Sequence, residues 1–104
     1  MPLMQYDANL TSHEIRVLLV DDQPIIAEKL KQMLRTEYGI QFHYCQDPTQ
    51  AVKMANEVNP TIILQDLVMP DMDGLTLVKY FRANPGTRNV PLIVLSTKEE
   101  AKIK

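Results

Sequence analysis

Three acids and a hydroxyl stand where apolar runs end. Asp21 and Asp22 follow Ile15-Arg-Val-Leu-Leu-Val20, Asp66 closes Thr61-Ile-Ile-Leu-Gln-Asp66, and Ser96 closes Pro91-Leu-Ile-Val-Leu-Ser96. If the first and third runs are neighbouring strands, their ends lie roughly 5 Å apart. Carboxylates that close repel one another, so one takes a proton or a cation joins them. A hard divalent cation with oxygen ligands answers the repulsion. Mg²⁺ fits best, because it keeps several waters and needs few carboxylates. Capping of the following helix is the plainer reading of Asp21 and Asp22. It leaves Asp66 unaccounted for. A hydroxyl at Ser96, on the same edge, could donate to an oxyanion held beside Asp66.

The elements that must position these groups are legible in order. Residues 1–14 show no periodicity and read as an N-terminal tail. Ile15 to Val20 is rich in β-branched residues and predicts a strand. Pro24 suits a first helical turn. Ile26, Leu30, Met33 and Leu34 then recur at helical spacing, with Gly39 as the stop. Ile40 to Cys45 alternates in part and predicts an edge strand. Asp47-Pro48 opens a second helix, whose apolar side is Ala51, Val52, Ala55 and Val58, and Asn59-Pro60 ends it.

Ile62, Ile63 and Leu64 are apolar on both faces, as in a central strand of a covered parallel sheet. Pro70 turns the backbone away after Asp66. Asp73 can cap a third helix, and Gly74 gives freedom at the turn. That helix carries Leu75, Leu77, Val78 and Phe81, and Asn84-Pro85-Gly86 stops it. Pro91 to Ser96 is the fourth strand, and Thr97-Lys-Glu-Glu100 starts a helix that does not finish. The alternation βαβαβαβ predicts parallel strands joined by right-handed crossovers. Open sheets of this kind place their chemistry at the carboxyl edge, where the acids stand.

Composition narrows the function. The 104 residues amount to one domain, with 45% hydrophobic residues and a net charge of −2. Nothing there suggests a direct nucleic-acid footprint. The single cysteine, Cys45, allows no internal disulfide and reads as inert. No apolar run approaches the roughly 20 residues of a membrane span, and no signal core precedes Ser12. A soluble, cytoplasmic protein is the expectation.

Val17-Leu-Leu-Val-Asp21-Asp22, Asp66-Leu-Val-Met-Pro70-Asp-Met-Asp73-Gly74 and Val94-Leu-Ser96-Thr97 together resemble the receiver domain of two-component response regulators. The resemblance spans Ile15 to the C-terminus and implies a receiver over residues 15–104. It implies a flavodoxin-like (CheY-like), doubly wound, three-layer α/β/α fold with strand order 2-1-3-4. Asp66 would accept a phosphoryl group from the phosphohistidine of a histidine kinase or phosphotransfer protein. Asp22 would bind Mg²⁺ directly, Asp21 through water, and the backbone carbonyl of Val68 would add a ligand beside Asp66. Ser96 would bond the new phosphoryl oxygen. More narrowly, Leu64-Gln-Asp-Leu-Val-Met-Pro with Leu95-Ser-Thr-Lys-Glu-Glu100 resembles receivers that precede a GGDEF diguanylate cyclase domain in Wsp-type systems, which make cyclic di-GMP.

One departure stands out. Receivers continue into a fifth strand ending in a lysine, then a fifth helix, and the sequence given stops at Lys104 before either. Lys98 is misplaced to be that lysine. The expectation is a C-terminally incomplete receiver that self-associates through the fourth strand and switches an output domain in a longer parent. Two rivals remain. One is a pseudo-receiver that never takes phosphate. The other is an aspartate-nucleophile phosphohydrolase of the haloacid dehalogenase type, whose Asp-x-Asp motif is absent from Asp21-Asp22-Gln23.

Overall fold

The structure is a computed structural model, and it describes residues 15–95. Strand β1 (Ile15–Val20) leads into helix α1 (Pro24–Leu34) and strand β2 (Ile40–Cys45). A 3₁₀ turn (Pro48–Gln50) precedes helix α2 (Ala51–Val58), followed by β3 (Ile62–Asp66), α3 (Gly74–Ala83) and β4 (Leu92–Leu95). The sheet order is β2-β1-β3-β4, with every pairing parallel. This is the doubly wound, flavodoxin-like arrangement expected, with β2 at an edge.

Successive side chains on a strand point to opposite faces, so each face of this sheet needs its own cover. Leu18, Val20 and Ile63 meet Ala51 and Ala55 of α2 and Leu77 and Phe81 of α3 in one cluster. Leu19 is buried too, and α1 lies along β2. The small Ala51 and Ala55 let α2 approach closely, while Phe81 fills the space beneath α3.

Several local expectations hold by the mechanism proposed. The Asp73 carboxylate accepts from the Thr76 amide at 3.1 Å and caps α3. Asn59 ends α2 in the left-handed region, at φ 52°, and its carbonyl accepts from Arg16 Nε at 2.7 Å. Asparagine tolerates that region better than most residues.

Others need correction. Helix α1 ends at Leu34 with Arg35 as its cap, so Gly39 is not its stop. Gly39 takes φ 76° just ahead of β2, where its carbonyl accepts from the Ile15 amide. Met33 is exposed and Ala27 is the buried residue of α1, because the inward stripe runs one position away from Met33. Asp47 caps the 3₁₀ turn rather than α2 itself, through a 3.0 Å bond from the Thr49 amide. Leu75 on α3 is exposed, leaving Leu77 and Phe81 as its buried face. Neither Asp21 nor Asp22 caps α1, whose N-cap is Gln23 with no side-chain bond.

Candidate functional site

Strands β1 and β3 are hydrogen-bonded neighbours, in register at Val20 and Gln65. One step further along each strand stand Asp21 and Asp66. The register thus delivers both carboxylates to the same carboxyl edge. Asp22 joins them: each of the three offers an oxygen, and these oxygens lie within 4.8 Å of one another. Asp21 and Asp66 are each only 1% exposed.

The cluster is held from several sides. The Asp21 amide donates to the Cys45 carbonyl at 3.2 Å, tying the end of β1 to β2. One Asp21 carboxylate oxygen accepts from the Gln23 amide at 2.8 Å, which turns the chain toward α1. The Gln46 side chain donates to the Asp22 carbonyl at 3.3 Å. The Leu67 amide donates to the Leu95 carbonyl at 3.2 Å, so β4 steadies the chain just past Asp66.

A divalent cation fits this donor set. Asp22 Oδ1 is buried and has no hydrogen-bond partner among the described residues. A charged oxygen in that state, pressed toward two further carboxylates, calls for a positive partner. All the donors are hard oxygens, the chemistry of Mg²⁺ rather than of a soft metal.

Tyr44 borders the cluster from β2. Burial, followed by the negative charges of Asp21 and Asp22, pushes its phenol above the ordinary range. Its hydroxyl is buried without a hydrogen-bond partner among the described residues. Cys45 is buried, and its thiol donates to the Asp47 carbonyl at 3.1 Å. Burial is the largest influence on that thiol and raises its pKa, which fits the inert role expected.

The structure thus brings together Asp21, Asp22 and Asp66. Val68 lies two residues past Asp66 in the loop joining β3 to α3. Ser96, Thr97 and Lys98 lie outside the described residues. Gln65 escaped notice in the sequence. It is wholly buried on the inward face of β3, and its amide nitrogen donates to the Gly74 carbonyl at 2.6 Å. The available signal was a polar side chain in step with Ile63 on a central strand.

The sequence model of the response regulator receiver domain matches residues 17–104. The chain belongs to this family. Receivers are the domains of two-component systems that are phosphorylated on an aspartate. The chain is 36% identical, over 82% of its length, to the DNA-binding response regulator MtrA of Mycolicibacterium smegmatis, of which it covers 36%. It is 38% identical to the transcriptional regulatory protein YdfI of Bacillus subtilis, with 82% of this chain and 39% of that protein covered. The chain therefore spans little more than a third of these relatives.

A solved receiver from the sensor histidine kinase PA1611 of Pseudomonas aeruginosa superposes with a TM-score of 0.73 at 31% identity. The match covers 83% of this chain and 70% of that one, which holds a magnesium ion in its active-site cleft. Receiver domains bind Mg²⁺ at an acidic pocket, and this receiver has an acidic cluster of Asp21, Asp22 and Asp66. Among the described residues, no helix is long and apolar enough to cross a membrane.

Proposed function

We propose that this chain is a phosphoacceptor receiver whose nucleophile is Asp66. The observation that carries the reading is the three-carboxylate cluster at the ends of β1 and β3, two of its members almost wholly buried. An Asp66 oxygen attacks the phosphorus of a phosphohistidine in line. The new O–P bond forms as the P–N bond breaks, and the imidazole leaves with the bonding pair. Asp21, Asp22, Asp66 and the Val68 carbonyl would hold Mg²⁺. When bound, the ion neutralises the charge on the phosphoryl oxygens. Such transfer needs placement and charge neutralisation more than covalent help. The walls of the site supply the placement, since the β1–β3 register fixes Asp21 and Asp66 without a search. Ser96 is assigned as the hydroxyl that bonds the transferred phosphoryl oxygen, on the strength of the motif alone.

The receiver is assigned to residues 15–104, with residues 1–14 as a tail. The family match from Val17 onward supports this division. Its phosphodonor is a histidine kinase or phosphotransfer protein, and its setting is the cytoplasm. The relatives named as DNA-binding and transcriptional regulators support a nucleic-acid-binding output in a longer parent. The GGDEF reading rests on two short blocks, whereas those alignments run over most of the chain. The net charge of −2 gives the receiver no basic excess to favour direct nucleic-acid contact. Self-association through β4 completes the reading of its partners.

The test is phosphorylation by acetyl phosphate and Mg²⁺, followed by intact mass. Wild type gains one phosphoryl group, and Asp66→Asn gains none because an amide oxygen is a poor nucleophile. Equal labelling of the two would place the acceptor elsewhere. No labelling of wild type would favour a pseudo-receiver.

A further inference from the structure

Gln65 is an expensive residue in its position. It sits on a central strand, 0% exposed, on the face that carries Ile63 into the apolar cluster. Its Nε2 donates to the Gly74 carbonyl at 2.6 Å. Its Oε1 is buried without a hydrogen-bond partner among the described residues. A buried acceptor left unpaired costs about 1–3 kcal/mol. The amide cannot be turned round to remedy this, because its oxygen would then face the Gly74 carbonyl. A leucine there would fill the space with no such penalty. Stability alone therefore does not explain the side chain.

What the amide does is close a loop. Gly74 is the first residue of α3, and a Cβ on it would come within 2.8 Å of Leu67 Cα. The base of the loop from Leu67 to Asp73 is thus clasped twice, by Gln65 to the Gly74 carbonyl and by Leu67 against the Gly74 Cα. The Asp73 cap on Thr76 holds the same end of the loop. Side chains alternate along a strand, so Gln65 points away from the edge cluster that holds Asp66. It touches no reacting atom. Its influence runs through the loop that begins directly after the nucleophile and carries Val68.

We propose that Gln65 is a positioning residue for phosphoryl transfer, its amide clasping Gly74 and so setting where the Leu67–Asp73 loop presents the Val68 carbonyl. The proposal rests on the reading of Asp66 as phosphoacceptor and of Val68 as part of the cation site. It assigns the unpaired Oε1 to the geometry of the clasp: reach to Gly74 fixes the nitrogen and leaves the oxygen without a partner among the described residues.

The experiment compares the full chain with Gln65→Leu and Gln65→Met. Urea midpoint, Mg²⁺ affinity from NMR shifts of the loop amides, and labelling rate with acetyl phosphate are measured on each. Both variants keep or raise the wild-type midpoint. Both lose roughly tenfold in Mg²⁺ affinity, the size of effect that supporting residues around a metal exert. Their labelling slows at limiting Mg²⁺ and recovers to within about twofold of wild type at saturation, since the nucleophile itself is untouched. Wild-type Mg²⁺ affinity in both variants would overturn the proposal. So would failure of both to fold, which would make Gln65 structural. A wild-type chain that neither binds Mg²⁺ nor takes label would instead sink the phosphoacceptor reading, and is recognisable because no substitution is involved.

Discussion

Asp21 and Asp66 stand side by side on paired parallel strands, one step past the register of Val20 with Gln65, and both are buried. Their charges oppose each other across a few ångströms, in a setting where water screens them poorly. Asp21→Asn keeps the oxygen that the Gln23 amide bonds and removes one of the opposed charges. In Mg²⁺-free buffer this variant is expected to gain about 1–2 kcal/mol in urea denaturation. Wild type should close the gap as Mg²⁺ is added, following the logarithmic dependence of stability on ligand, while the variant responds weakly. A variant less stable than wild type without Mg²⁺ would mean that the cluster is not repulsive.

The Tyr44 phenol gives a pH-dependent counterpart. Burial first, then Asp21 and Asp22, raise its pKa in the folded chain. Its neutral form is therefore favoured by folding. That contribution is complete below the unfolded value of roughly 10 and is lost as pH rises through the raised folded value. Tyr44→Phe removes both the titration and a buried hydroxyl that has no partner among the described residues. The variant should be more stable by about 1 kcal/mol at neutral pH. The gap should widen above roughly pH 10. Urea midpoints of the two proteins from neutral to strongly alkaline pH test this, and a gap that narrows with alkali would contradict it.

The same residues show what could be read in advance. The acid cluster was legible because three like-charged side chains ending apolar runs have few structural uses. Parallel pairing followed from the alternation of strands and helices, the strand order from the receiver resemblance, and β2 reads as an edge strand from its imperfect alternation. Gln65 was passed over because a polar residue inside an apolar run declares neither its face nor its partner. The Gly74 carbonyl that it bonds is found only once α3 is packed. Met33 and Leu75 lie at helical spacing yet are exposed, because periodicity locates a stripe to within one neighbouring position and tertiary packing selects its centre.

Gly74 was expected to supply turn freedom, and the structure gives a different reason for it. Its conformation is not left-handed, and any Cβ would collide with the Leu67 carbonyl and Cα. Backbone cannot swing aside as a side-chain tip can. Gly74→Ala is therefore expected to cost about 1–3 kcal/mol in thermal or urea unfolding. It should also weaken Mg²⁺ binding, since the displaced atoms belong to the loop that follows Asp66. A small loss of stability with normal Mg²⁺ affinity would show that α3 moves away and the loop does not.

The last prediction concerns the open side of β4. Among the described residues, β4 pairs only with β3, so the outer row of its N–H and C=O groups is available. Ile93 is 48% exposed and Val94 37% exposed on that short strand. An apolar strand with an open edge is a template for another chain, and a charged residue on it is the usual safeguard. Pro91 precedes the strand and blocks pairing only at its start. The 104-residue chain is expected to self-associate as concentration rises, seen as a growing weight-average mass in sedimentation equilibrium. Val94→Lys should shift that association to higher concentration by roughly tenfold, about 1.4 kcal/mol, while leaving Asp66 labelling intact. An unchanged association curve for Val94→Lys would move the contact away from β4. A chain that stays monomeric at every concentration would show that this edge is covered.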